Sequence, residues 1–216
     1  MTLITTTHVP VAAEPEADGR HARRDRNRLA VVDAMLALYA GGNLDPSSDQ
    51  IAACAGLSPR SLFRYFDDID DLVRVAVARH HDRVLPLAEL DTATTAPLAE
   101  RARRLVAQRL RLFDAIASVG TVSRLRAPFQ PLIAAELATA RGYWRDQLRR
   151  LFATELQAQP TATAAHLVAA IDVLTSFESV QLMRDDQKLS NSAIAATLVH
   201  AITALLTPQP TTPVTT

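Results

Sequence analysis

The sequence predicts an all-α fold, and three observations lead there. Apolar residues recur by threes and fours, as in Leu29, Val32, Leu36 and Tyr39 or in Ile133, Leu137, Ala140, Trp144, Leu148 and Leu151, which is the spacing of a buried helix face. Glycines and prolines fall between such stripes, where helices end or begin. Residues 47–66, SSDQIAACAGLSPRSLFRYF, read as two short helices around one glycine. With 216 residues, 48% of them hydrophobic, the chain is long enough for a sizeable core, in one domain or two small ones.

Taken in order, residues 1–19 are rich in Thr, Ala, Glu and Pro, offer almost nothing to bury and read as a disordered tail. Arg20, Arg23, Arg24, Arg26 and Arg28 crowd the segment just before the first helix, opposed by Asp25 alone, as a basic arm. That helix is expected over residues 23–40 and ends at Gly41-Gly42. In the next segment Ser47 and Gln50 have capping-box spacing, Ile51, Ala52 and Ala55 make a narrow apolar face, and Gly56 stands where a left-handed residue closes a helix. Leu57 is the buried turn residue, Ser58 a second cap and Pro59 a first-turn proline. Leu62 and Phe66 then face inward, leaving Arg60, Ser61, Arg64 and Tyr65 outside.

A linking helix follows over residues 68–85, with Leu72, Val73, Ala76 and Val77 inward and Pro86 beyond its end. After a Thr-rich connection, a helix over 97–117 buries Leu98, Leu105, Leu112, Phe113 and Ile116 and leaves Arg101, Arg103, Arg104 and Arg111 largely outside; Gly120 and Pro128 break what comes next. The longest helix is expected over 131–157. A helix over 161–184 carries two stripes, Leu167/Ile171/Leu174 and Val173/Phe177/Val180, and a last helix over 190–206 carries Ile194, Leu198, Ala201 and Leu205. Residues 207–216 form a Pro/Thr tail. The apolar stretch over 193–206 is too short to cross a bilayer, no secretory signal is visible, and a single cysteine, Cys54, suits a reducing cytoplasm and is expected as a small packed thiol.

Two close-crossing helices with a small residue at Ala52, a turn glycine and apolar anchors at Leu57 and Leu62 make a helix-turn-helix, a DNA-reading element. GLSPRSLFRYF followed by DDIDDL resembles the DNA-binding segment of the tetracycline-repressor (TetR) family, and the all-helical layout of the remaining chain is similar to that family's. The resemblance implies a dimeric, ligand-responsive regulator, more often a repressor, on a palindromic operator in double-stranded DNA. It implies that Ser47 and Ser58 hold phosphates, that Pro59, Arg60 and Ser61 face base edges, and that Arg64 and Tyr65 complete the surface, Tyr65 at the DNA backbone. Two positions depart from the family: Phe63 replaces a usual tyrosine, and Ile69, among Asp67, Asp68, Asp70 and Asp71, replaces a usual lysine, which removes phosphate partners.

The expected architecture is a helix-turn-helix head over 20–67 and an effector-binding and dimerisation bundle over 68–206. Phe113, Phe129, Trp144 and Phe177 are the large apolar groups that could surround an apolar small-molecule effector. Leu167, Ile171, Leu174, Ile194, Leu198 and Leu205 are the residues expected at a homodimer interface built from the two terminal helices. No catalytic constellation, cofactor loop or metal-ligand set is found, and His80 and His81, adjacent on a helix, cannot chelate one ion together. A net charge of +0 argues against nucleic acid unless the cations are concentrated, and a helical scaffold whose helix-turn-helix serves protein contacts competes with the regulator.

Overall fold

The computed structural model describes residues 15–43 and 45–207. Its described residues form ten helices and no strand: α1 (Pro15–Ala40), α2 (Ser48–Cys54), α3 (Pro59–Leu62), α4 (Ile69–Ala88), α5 (Leu98–Arg126), α6 (Pro131–Leu151), α7 (Ala153–Gln157), α8 (Thr161–Leu174), α9 (Phe177–Asp185) and α10 (Asn191–Leu206). The fold is all-α, as the periodicity predicts. The proposed tails over 1–14 and 208–216 lie outside the described residues. Residues 15–19, however, are helical: proline's fixed φ fits a first helical position, so α1 starts at Pro15 with no apolar stripe to announce it. The arginines of the basic arm therefore lie within α1, not ahead of it.

Around α1 to α4 one apolar cluster forms, with Val32, Met35, Tyr39, Ile51, Ala52, Leu62, Phe66, Leu72 and Ala76 among its fully or nearly fully buried members. Ser47 closes the capping box: its Oγ accepts from Gln50 N–H and its own N–H donates to Gln50 Oε1 at 2.9 Å. Gly56 takes φ +68° and Leu57 N–H reaches back to the Ala52 carbonyl at 2.9 Å, the αL closure that turns the chain tightly into α3. Val119 and Val122 of α5 and Ile133 of α6 complete this same cluster, so body helices supply part of the head's core.

In the body, α5 is the central and longest helix, packed against α4, α6, α9 and α10. It runs straight through Gly120, correcting the expected break. A Cβ there would meet the Phe177 ring at 3.2 Å and 3.3 Å, so this glycine permits a close approach of α9 and ends no helix. The helix expected over 131–157 divides instead at Phe152, whose φ −109° and ψ 23° leave the helical region. The Leu151 carbonyl there accepts from Arg101 Nη1 at 2.6 Å. The helix expected over 161–184 divides at Thr175-Ser176, because Ser176 takes extended backbone and caps α9 through Ser179 N–H. Pro86 lies inside α4, whose last residue follows only two positions on, so its missing N–H removes one bond from the last turn and the helix ends there. Arg101 is buried, against expectation, and Cys54 is exposed with its thiol directed at the Ala34 carbonyl. No helix among the described residues is long and apolar enough to cross a membrane.

Candidate functional site

Two features of the molecule can bind something, the exposed edge of the head and the cavities of the body. At the head, α3 is a four-residue helix: Ser58 caps it, Pro59 opens it, and the chain continues through Phe63 to Tyr65 by i to i+3 bonds before Phe66 plugs the core. Arg60 and Arg64 are exposed. Four other arginines of α4 and α5 are engaged: Arg74 with Asp71, Arg79 and Arg83 with Asp33, and Arg126 with Asp45. Arg60 and Arg64 thus have no carboxylate partner among the described residues. Tyr65 is half-buried and its hydroxyl accepts from Asn27 of α1 at 3.0 Å, while Arg28 stacks on the Phe66 ring at 5.0 Å. The acidic corner is largely committed internally: Asp68 caps α4 through Asp71 N–H at 2.7 Å, Asp70 accepts from Gln130 at 2.6 Å, and Asp71 pairs with Arg74.

Two of the body's cavities share a wall at Trp144. The larger, about 270 Å³, lies between α4, α5 and α6 and is lined mainly by apolar side chains, including Val77, Val84, Leu112, Ile116, Leu137 and Tyr143. His80 lines it too; burial, with Arg83 and His81 nearby, holds its imidazole below the ordinary value and so neutral at pH 7, and its Nε2 has no hydrogen-bond partner among the described residues. The smaller cavity, about 220 Å³, lies where α5, α6, α8 and α9 meet, and is lined by Arg109, Arg141, Asp172, Thr175, Ser176 and Glu178 besides Trp144 and Phe177. Burial raises the Glu178 carboxyl, but hydrogen bonds from Arg124, its own N–H and Arg141 outweigh this and hold it below the usual range.

Solved structures share this architecture along nearly the whole chain. A tetR-family transcriptional regulator from Streptomyces coelicolor superposes with a TM-score of 0.66, covering 84% of this chain and 80% of that one at 21% identity. This is the TetR-family fold. A transcriptional regulator from Rhodococcus sp. Rha1 has it as well, at TM-score 0.62 and 18% identity over 85% of this chain and 95% of that one. Among curated proteins, the HTH-type transcriptional repressor LfrR of Mycolicibacterium smegmatis is 36% identical over 90 residues. That match takes in 41% of this chain and 47% of the repressor, so the likeness spans about half of the curated relative's length. No protein-family profile matches the chain.

Within this TetR fold the predicted surface residues Ser58, Pro59, Arg60, Ser61, Arg64 and Tyr65 come together on one short stretch, with Ser47 at the other cap. Of the proposed effector set, three residues come together and one does not. Phe113 meets Trp144 and Phe177 edge-on, at 5.7 Å and 5.5 Å between centroids, but Phe129 is 85% exposed beside the acidic corner. Phe113 is packed behind Trp144, and Trp144 alone of the four lines the larger cavity. The wall that sequence reasoning missed comes from α4: Val77, His81, Val84 and Ala88 step by fours and threes, a legible stripe passed over because the helix was read only as a connector. Of the residues expected at a dimer interface, Ile171, Ile194 and Leu198 are buried in the subunit's own core, and Leu167 and Leu174 pack against it. Only Leu205 keeps a substantial exposed face, because the apolar stripe of α10 closes on α5 and that of α8 on α6 and on α10. What α8 and α10 leave outside is a smaller-residue face: Ala165, Ala169 and Val173 on one, Thr197, Ala201 and Leu205 on the other.

Proposed function

We propose that the chain is a DNA-binding transcriptional regulator, acting as a repressor, that binds a palindromic operator as a homodimer in the cytoplasm and is released by an apolar small molecule. One observation carries the DNA reading: a capped, tightly turned helix pair on a packed head, presenting Arg60 and Arg64 with no carboxylate of their own. A helix-turn-helix reads base edges with the first turn of its second helix, which here is Pro59, Arg60 and Ser61, while capped N-termini at Ser47 and Ser58 suit phosphates. The name of the LfrR relative favours repression. The acidic corner, the feature that favoured a protein scaffold, is occupied by a helix cap, an amide and an arginine, which removes most of its appeal as a docking surface.

Arg60→Ala is expected to cost about 1–3 kcal/mol on a site selected from random duplexes and to relax preference at one base position, because a guanidinium can pair bidentately with guanine. Titrating the variant on cognate and base-substituted duplexes checks this; discrimination unchanged at every position would reject direct readout by Arg60.

The homodimer is assigned to the exposed small-residue faces of α8 and α10, whose short side chains let a second pair of helices approach closely into a four-helix bundle. Val173, 64% exposed near the C-terminal end of α8, is the informative site. Light scattering should give a dimer for the natural chain and a monomer for Val173→Asp at micromolar concentration; a Val173→Asp dimer would move the interface elsewhere. The larger cavity, with its apolar wall, is the proposed effector site, and screening apolar compounds for release of bound DNA, with Ala140→Phe to fill the cavity, tests that assignment.

A further inference from the structure

Arg109 is buried to 1% exposure and has no carboxylate of its own. Its Nη1 donates to Gln108 Oε1 at 2.7 Å and to Gln147 Oε1 at 3.0 Å, and its Nη2 lies 3.4 Å from the Trp144 carbonyl. Its guanidinium sits over the Trp144 ring at 5.5 Å. All of these partners are neutral; they solvate the charge without cancelling it. The nearest carboxylates are engaged by other arginines: Asp172 by Arg145 at 2.9 Å, and Glu178 by Arg124 at 2.9 Å and by Arg141. The lining of the smaller cavity sets Arg109 and Arg141 against Asp172 and Glu178, while Arg124 and Arg145 also hold those two carboxylates from outside it, which leaves Arg109 as the lining cation without a carboxylate. The first turn of α9, at Phe177 and Glu178, also opens onto this cavity and adds the positive end of a helix dipole.

Burying an unpaired charge is expensive, and proteins rarely keep one without a counter-charge or a reason. We propose that the cavity at the junction of α5, α6, α8 and α9 binds a small organic carboxylate, with Arg109 as its charge partner and the Trp144 and Phe177 rings around its apolar part. A carboxylate fits better than a larger polyanion because the site is small, about 220 Å³ against the roughly 300–1,000 Å³ of drug-sized pockets. Asp172 and Glu178 on the wall would also repel a multiply charged group. Burial pulls the Arg109 guanidinium down to about 10, which leaves it protonated at neutral pH. Arg109 is moreover tied to the linking helix: Gln108 donates to the Leu87 carbonyl at 2.6 Å and Gln147 to the Ala88 carbonyl at 2.7 Å, so the two glutamines that hold the guanidinium also hold the end of α4. A ligand that draws Arg109 towards the cavity weakens both anchors. That last step, from binding to regulation, rests on the effector reading above; the binding itself does not.

The test uses benzoate as the probe on the full chain, followed by calorimetry and by the emission of Trp144, the one tryptophan in the sequence. Benzoate is expected to bind saturably and change that emission, neutral benzamide to do neither, and Arg109→Met to weaken benzoate about tenfold or more, as loss of a charged hydrogen bond requires. Thermal melting with and without benzoate separates this from a structural role: Arg109→Met strips the donor from Gln108 and Gln147 and is expected to melt lower by itself, so the readout is the upward shift that benzoate gives the natural chain and does not give the variant. A benzoate shift of equal size in Arg109→Met would make Arg109 a structural support only, and the proposal falls. Equal binding of benzoate and benzamide, benzoate binding unchanged in Arg109→Met, no benzoate binding, or tighter binding of inorganic phosphate would each overturn it. Benzoate that binds through Arg109 but leaves DNA affinity unchanged supports the site and rejects its regulatory role alone.

Discussion

Arg101→Ala is expected to remove about 3–5 kcal/mol of folding stability, the cost of stripping one partner from a buried, hydrogen-bonded ion pair. Arg101 is 3% exposed and serves three groups at once: the Ala96 carbonyl at 2.9 Å, the Leu151 carbonyl at 2.6 Å and the Glu155 carboxylate, with its guanidinium also over the Phe152 ring. Without it, a carbonyl at the break between α6 and α7 and a carboxylate lose their donor together. Arg103→Ala is the control, since its ion pair with Glu100 lies in solvent and its loss should stay within about 0.5 kcal/mol. Urea denaturation of both variants checks the contrast; equal midpoints would mean that Arg101 adds nothing beyond a surface pair. The pair also has a pH signature. Burial raises the Glu155 carboxyl, but Arg101's hydrogen bond, the residue's own N–H and Arg101's charge outweigh it and hold the carboxyl below its ordinary 4.5. The stabilisation is therefore complete above that ordinary value and fades as pH falls through the lower folded value, so below about pH 4.5 the natural protein should lose more stability than Arg101→Ala.

Phe113→Ala should cost about 3–5 kcal/mol as well, by a different route: a ring with no solvent exposure, wedged edge-on between Trp144 and Phe177, leaves a cavity that its neighbours can only partly fill. Phe129→Ala, at 85% exposure, should change stability by no more than about 0.5 kcal/mol. Thermal and urea unfolding of both measure the difference. A small loss for Phe113→Ala would mean that the aromatic trio adapts to a missing ring, and a large one for Phe129→Ala would place that side chain against something.

The contrast between those two phenylalanines illustrates what the sequence can reveal. The helix-turn-helix was legible nearly residue by residue because local rules determine it: a capping box at Ser47, αL closure at Gly56, a cap at Ser58 and a proline at position 59. Periodicity also found the inward faces of α5 and α6. It failed where a tertiary contact overrides a local signal. Gly120 looks like a helix end until Phe177 is seen to need its missing side chain, and Phe152 looks helical until Arg101 is seen to take the Leu151 carbonyl. The buried arginines were hidden by residue type, although Arg101, Leu105, Arg109, Leu112 and Ile116 step by fours and threes on one face. Three of the residues expected at the dimer interface, Ile171, Ile194 and Leu198, lie in the subunit's own core for a similar reason, since an apolar stripe announces burial without saying whether its own subunit or a partner provides it.

The cluster beneath the head bears on how such a molecule could be rebuilt. Val31, Val32, Met35, Tyr39, Ile51, Leu62 and Phe66 are joined by Val119, Val122 and Ile133, which belong to α5 and α6. Arg126 of α5 holds Asp45 at 2.6 Å, and Gln130 holds Asp70 at 2.6 Å across the same boundary. The helix-turn-helix region is therefore no detachable cassette. Transplanted onto another body, it would face foreign side chains at the three positions that finish its interior. A workable chimera has to carry those positions with it or be repacked around whatever the new host supplies.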